Sequence, residues 1–336
     1  MSRRDLAVDL GTANTLVYQQ GKGIVYHEPT LVAVNTRNGA VLGVGRHVRE
    51  LTANDPGHVA AARPLQRGAI TDFERTQQMM RIIFRRIGVG RFPRPRVLVC
   101  VPSLLTPVER KAVEEAVAGA GAGSVTLVDE PLAAAIGAGL PIQDPIGNFV
   151  VDVGGGTSEM FMVAMGGLVT GKAIKVGGFD MDEAIQTHLR RRYGVAIGEL
   201  ASERIKIELG SAYPAADEPE AEVTGREIST GMPKSVVVAP EEIREVLADT
   251  VRVIVDTTRT CLAESPPELA HDVLETGLFL TGGGAMLKGL DMRLARECEV
   301  PVHLTEHPLS TVMIGAGHLL EYFPEYRATF TVASRG

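Results

Sequence analysis

The sequence predicts an α/β protein built from two similar domains that face each other across a ligand cleft, each with a smaller inserted subdomain. Three observations carry this reading. Apolar strand-like runs alternate with segments of helical periodicity along all 336 residues. AVDLGTANT at residues 7–15 returns as VVDVGGGTS at 150–158, near the start of each half; each copy closes an apolar strand on an Asp and turns through small residues. Residues 19–66 and 211–239 interrupt the alternation with strand- and turn-rich sequence, including the hairpin signal Asn38-Gly39.

The elements follow in order. Residues 5–9 and 14–18 read as short strands around Gly11, 75–87 as an amphipathic helix, and 97–101 (VLVCV) as a buried strand. Thr106, Pro107 and Glu109 form a capping-box pattern that opens a helix running to about Ala118. Further helices are expected over 180–193, 198–209, 240–262 and 287–297, which place acidic residues early or basic ones late.

Composition narrows the class. A net charge of −7 speaks against a dedicated nucleic-acid binder. Cys100, Cys261 and Cys298 lack metal or disulfide spacing, as expected in a reducing cytoplasm. No uncharged apolar run approaches the roughly 20 residues of a bilayer span, and the first residues do not form a signal peptide. Glycine is in excess, 37 of 336 residues or about 11%, against about 7% on average. Backbone must therefore bend sharply, or approach something closely, at many places.

The turns Asp9-Leu10-Gly11-Thr12-Ala13-Asn14 and Asp152-Val153-Gly154-Gly155-Gly156-Thr157 can present backbone N–H groups to phosphate oxygens. An Asp before each turn suits a divalent cation that neutralises phosphate charge. Thr281-Gly282-Gly283-Gly284 follows an apolar run; it is either a third ligand loop lying against a base or ribose, or an ordinary strand-to-helix turn. Residues 166–172 (GGLVTGK) mimic a P-loop, but Ala173 replaces the required Ser or Thr and a strand-like segment follows, so that reading is rejected. In Asp129-Glu130-Pro131, one carboxylate can orient a water for attack on a phosphate and either can cap the following helix; spacing leaves the choice open.

DLGTANTLVY, RVLVCVPS, DEPLAAAIGAGLP, VVDVGGGTSE, the GGFDMDEAI run, SERIKIELGSAYP and LFLTGGGAMLKGLD together resemble bacterial actin homologues of the MreB/Mbl family, in order from about residue 5 to 323. The resemblance implies two ribonuclease-H-like domains around an ATP–Mg2+ cleft. Domain I would span 1–144 with subdomain IB at about 19–66. Domain II would span 145–336 with IIB at about 182–239, and a helix at about 310–323 would return to domain I. Gly11, Thr12, Ala13 and Asn14 would form the first phosphate loop, and Gly154, Gly155, Gly156 and Thr157 the second. Asp9 and Asp152 would serve the metal. Glu130 would fall at the water-activating position with Thr157 as its partner. Glu203 and Lys206 would meet adenine and ribose, and Gly282, Gly283, Gly284 and Met286 the adenosine. Ser158, Asp129 and the bulky Met160-Phe161-Met162-Val163 depart from the family pattern without removing a phosphate-loop residue.

The implied function is a slow ATPase that polymerises into paired filaments on the inner face of the cytoplasmic membrane and organises cell-wall synthesis and cell shape. Its partners would be itself, the membrane and the wall-synthesis machinery. With only MSRR before the first strand, attachment is expected instead at residues 85–96, where Val89 and Phe92 sit among arginines that would favour anionic headgroups. The main rival is a sugar-type small-molecule kinase on the same ATPase core. A chaperone is disfavoured because the sequence ends soon after its second half, and plasmid partitioning by a related filament is set aside on motif detail. At least eight glycines (11, 154, 155, 156, 177, 282, 283 and 284) fall in the nucleotide loops or the joint between domains; Gly137, Gly139 and the 119–123 cluster read as packing and turn residues.

Overall fold

Leu6–Leu10 (β1) is buried at every position but the half-buried Asp9, so it has no polar face to give to solvent and must lie inside a sheet. The computed structural model describes residues 5–90, 93–215 and 219–322. It divides into one unit made of Met1–Ile146, Val163–Leu168 and Leu309–Gly336, and a second made of Gly147–Met162 and Val169–Pro308.

In the first unit β1 is followed by β2 (Asn14–Gln19), β3 (Gly23–Pro29), β4 (Val32–Asn35), β5 (Val41–Val44), α1 (His47–Asn54), β6 (Val59–Ala62), β7 (Leu65–Gln66), β8 (Ala69–Ile70), α2 (Phe73–Arg86), β9 (Arg96–Val101), α3 (Pro107–Ala120), β10 (Ser124–Asp129) and α4 (Glu130–Gly137). The main sheet has the order β10-β9-β1-β2-β3. Its β1, β9 and β10 run parallel, while β1, β2 and β3 form an antiparallel meander. Leu6, Val8, Val97 and Val99 join Met79, Ile83 and Phe84 of α2 and Val113 and Val117 of α3 in one core. By strand alternation Ala7, Asp9, Leu98 and Cys100 lie on the opposite face. The capping box at Thr106 forms as the sequence predicts, with Glu109 Oε2 accepting from Thr106 N at 2.8 Å. Around Asn38-Gly39 the chain turns with Gly39 at φ +73° and joins β4 to β5. Because β3 pairs with β2, the small sheet β5-β4-β6 begins at Val32, later than the residue 19 expected for an excursion.

The second unit holds β11 (Asn148–Val153), β12 (Ser158–Ala164), β13 (Gly167–Ile174), α5 (Gly178–Tyr193), β14 (Val195–Ala196), α6 (Glu199–Leu209), β15 (Ala221–Glu227), β16 (Pro233–Val238), α7 (Pro240–Ala263), α8 (Pro267–Thr276), β17 (Leu278–Thr281), a 3₁₀ turn (Gly283–Met286), α9 (Leu290–Cys298) and β18 (Val302–Leu304). Strands β12 and β13 straddle the division, since Val163–Leu168 groups with the first unit. The sheet order is β13-β12-β11-β17-β18, which is β3-β2-β1-β9-β10 with each strand replaced by its counterpart. The internal repeat seen in sequence is thus a repeat of topology. Residues 166–172 enter the strand Gly167–Ile174, not a helix N-terminus, consistent with rejecting a P-loop. A separate sheet β14-β15-β16 occupies the second excursion. Helix α9 starts three residues later than predicted because Gly289 adopts the left-handed region at φ +73° and breaks the run from Leu287. The last element, α10 (Thr311–Glu321), belongs to the first unit and packs on α4, β1, β2 and β9.

Candidate functional site

Parallel pairing aligns Asp9 of β1 with Cys100 of β9, and Asp129 of β10 with Val101, so chemistry-bearing residues gather where these strands end. Burial pushes the Asp9 carboxyl up to about 7. The Cys100 thiol is raised well above its usual range by burial and then by the charges of Asp9, Glu130 and Asp129. After Asp9 the chain turns so tightly that a Cβ on Gly11 would lie 2.8 Å from the Asn14 carbonyl oxygen. Thr12 is buried and its Oγ1 accepts from Gly68 N at 2.9 Å, which ties the loop to the β7–β8 hairpin. Thr30 braces the other side: its Oγ1 donates to Gly11 O at 2.7 Å, and its N–H donates to Ala13 O at 2.9 Å. Sequence reading missed Thr30, which lies 19 residues away and carries no motif.

Asp129 and Glu130 differ in where the structure places them. Asp129 pairs with Arg110 of α3 and makes no side-chain cap bond, whereas Glu130 is the first residue of α4. Arg110 was also missed, although it lies just beyond the capping box that opens its helix.

In the second unit Asp152 is buried at the end of β11, in register with Thr281 of β17. The turn that follows closes with Gly154 N donating to Thr157 O at 2.9 Å. Two more glycine clusters pack on it. Gly178 N and Phe179 N donate to the carbonyls of Gly154 and Gly155 at 3.0 and 2.8 Å, and a Cβ on Gly177 would lie 2.6 Å from Gly154 O. A Cβ on Gly284 would lie 2.4 Å from Val153 Cγ1. The three glycine clusters therefore pack together through bare backbone, with Gly177, Gly178 and Gly284 buried, Gly283 inside the 3₁₀ turn and Met286 exposed at its end. Gly156 is buried and Thr157 half-buried within the turn.

Glu203 is exposed on α6. Lys206, one turn later, is held more firmly: its Nζ donates to Gly178 O at 3.0 Å and pairs with Asp182 Oδ1 at 3.0 Å, so it anchors α6 to the start of α5. Val89 is half-buried against the first unit's core, with its N–H donating to Phe84 O at 2.9 Å; packing there, not projection from the surface, is what the structure gives it. Phe92 lies outside the described residues. No helix among the described residues is long and apolar enough to cross a membrane.

Residues 3–328 match the MreB/Mbl protein family. The chain belongs to that family. Among the relatives of this MreB/Mbl chain, the cell shape-determining protein Mbl of Bacillus cereus is 44% identical over 322 residues, covering 96% of this chain and 97% of the relative. The cell shape-determining protein MreB of Escherichia coli K12 is 45% identical over 327 residues, covering 96% and 94%. MreB5 of Spiroplasma citri, solved bound to ADP, superposes with a TM-score of 0.91 at 32% identity over 97% of this chain and 99% of that one. The same protein bound to AMPPNP gives the same TM-score. A MamK double helical filament shares the fold, with a TM-score of 0.80 at 19% identity. The fold is thus the actin-like two-domain one, and these relatives lend no support to a kinase.

Proposed function

We propose that this chain is an ATP-binding, polymerising cytoskeletal protein whose filaments organise cell-wall synthesis and cell shape. The observation that carries the proposal is the repeated Asp-plus-glycine turn, one copy at the same strand end of each unit, in a chain of the MreB/Mbl family. Backbone N–H groups of Gly11 to Asn14 and of Gly154 to Thr157 would hold phosphate oxygens, and the glycine surface at 282–284, with Met286, would face the adenosine. Glu203 and Lys206 would contribute from α6, with Lys206 already oriented by Asp182.

The carboxylates fit magnesium. Asp9 and Asp152 are hard oxygen donors at glycine turns, and a carboxyl raised to about 7 by burial is one that a nearby cation stabilises as the anion. When bound, magnesium would neutralise phosphate charge. Glu130, which opens α4 and which the family resemblance places at the water-activating position, is the group we assign to orienting the attacking water; Thr157 would assist. Slow hydrolysis would then weaken the assembly. Filaments would be paired and peripheral on the inner membrane face, with the basic segment around Phe92 as the contact.

Electron microscopy of the purified protein with and without ATP tests the proposal. Paired filaments that need nucleotide are expected. Monomers under both conditions would overturn it.

A further inference from the structure

Helix α4 starts at Glu130 and is only eight residues long, so whatever fixes its backbone fixes the base of that side chain. The element against it is α10, and the two helices meet backbone to backbone. A Cβ on Gly315 would lie 1.8 Å from the Ala133 carbonyl oxygen and 2.7 Å from Gly137 N. In return, a Cβ on Gly137 would lie 1.9 Å from Thr311 O and 2.9 Å from Gly315 N. No flexible side chain stands at these points to yield, and Ala133 is one helical turn from Glu130 on the same side. A methyl group at 315 must push α4 away.

The other side of α10 grips the strand that leaves the first phosphate loop. A Cβ on Gly317 would lie 2.7 Å from Tyr18 Cε2, and the Tyr18 hydroxyl donates to Glu321 Oε1 at 2.6 Å. Burial, and then Glu321 itself, pushes the Tyr18 hydroxyl up to about 12, so the donor stays protonated at neutral pH. Tyr18 lies on β2, which starts at Asn14, the residue whose carbonyl crowds Gly11. One helix thus bridges Glu130 and the loop assigned to the phosphates.

We propose that Gly315 is a positioning residue for Glu130: by letting α10 touch α4, it sets the distance between the Glu130 carboxylate and the first phosphate loop. This rests on the reading of Glu130 as the water-orienting group. Shifts of about 1 Å in such a group cost up to about a hundredfold in rate. A purely structural glycine would instead lower stability and binding together.

The test measures phosphate release by the full chain at saturating ATP, AMPPNP affinity, and both again in a Glu130→Ala background. Gly315→Ala is expected to slow release by about tenfold or more with AMPPNP affinity within about threefold of the parent. In the Glu130→Ala background it should slow release no further, because both changes remove the same function. Gly57→Ala, where a Cβ meets nothing within 4 Å, is the control. Should Gly315→Ala fail to fold, Tyr18→Phe removes only the bond to Glu321, and an about threefold slowing that vanishes without Glu130 is expected. Unchanged release in the variant that folds, or the same fold-loss with and without Glu130, overturns the positioning role. Parental release by Glu130→Ala itself would overturn the catalytic assignment instead, a distinct result.

Discussion

Gly282 and Asp152 stand so close that no side chain fits between them: a Cβ at 282 would lie 2.2 Å from Asp152 Oδ1 and 2.4 Å from Val153 O. Gly282 also adopts φ +85°, which an L-residue adopts at a cost of about 1–3 kcal/mol. The side chain proposed to serve magnesium is therefore held by the loop proposed to face the adenosine. Gly282→Ala should displace the Asp152 carboxylate and weaken ATP binding by about tenfold or more, a loss of about 1.4 kcal/mol or greater. Equilibrium dialysis with labelled ATP measures it. Gly198→Ala, at φ −87° with open space around it, should bind as the parent does.

Glu130→Ala should bind ATP with little change and release phosphate at least about a hundredfold more slowly, the usual contribution of a positioned acid or base. A phosphate-release assay at saturating ATP reads the effect. Release at the parental rate would remove Glu130 from the mechanism.

What sequence disclosed and what it concealed differ by range. Asp9 and Asp152 were legible because strand, Asp and small-residue turn are all local, and the second copy served as an internal control. The Thr106 box was legible because its partners are three residues apart. Helix α1 was not, since Arg46 at its N-cap makes no side-chain cap bond and the helix sits inside a strand-rich stretch. Nor was the partner of Asp129, because Arg110 reaches it from another helix. Gly137 could be read as a packing residue, but its partner Gly315 lies across the fold, and only the touching backbones reveal what the packing positions. The glycine excess has the same origin. Local pattern found the turns proposed to face the ligand, while Gly177, Gly178 and Gly284 also pack against backbone distant in sequence.

Lys206 and Asp182 form an ion pair with side chains only 16% and 6% exposed. Removing the cation takes from a nearly buried carboxylate its opposite charge and from α5 its tie to α6, so Lys206→Ala should cost about 3 kcal/mol of stability. Exposed Glu203, on the same helix, should change stability by less than about 0.5 kcal/mol when replaced by Ala. Urea denaturation without nucleotide separates the two. Equal stability in both variants would show that the pair does not anchor α6.

The Asp9 carboxyl gives the site a pH dependence whose sign can be worked out. Burial raises it from 3.8 to about 7, so near neutrality the folded protein without ligand holds it partly protonated while the unfolded chain has it ionised. Stability associated with the protonated form is therefore present below about 4 and lost as pH rises through about 7. Cation and phosphate binding runs the other way, because the ligand-bound site needs the carboxylate. Binding then expels a proton below about pH 7, and apparent affinity should fall by up to tenfold per pH unit in that range. ATP affinity measured with magnesium at pH 8 and pH 6 should thus differ by about tenfold in the parent. In Asp9→Asn, affinity should be weaker at pH 8, and whatever slope survives is that of the ligand's own titration. A parental slope no steeper than that of Asp9→Asn would mean that Asp9 does not change protonation when nucleotide binds.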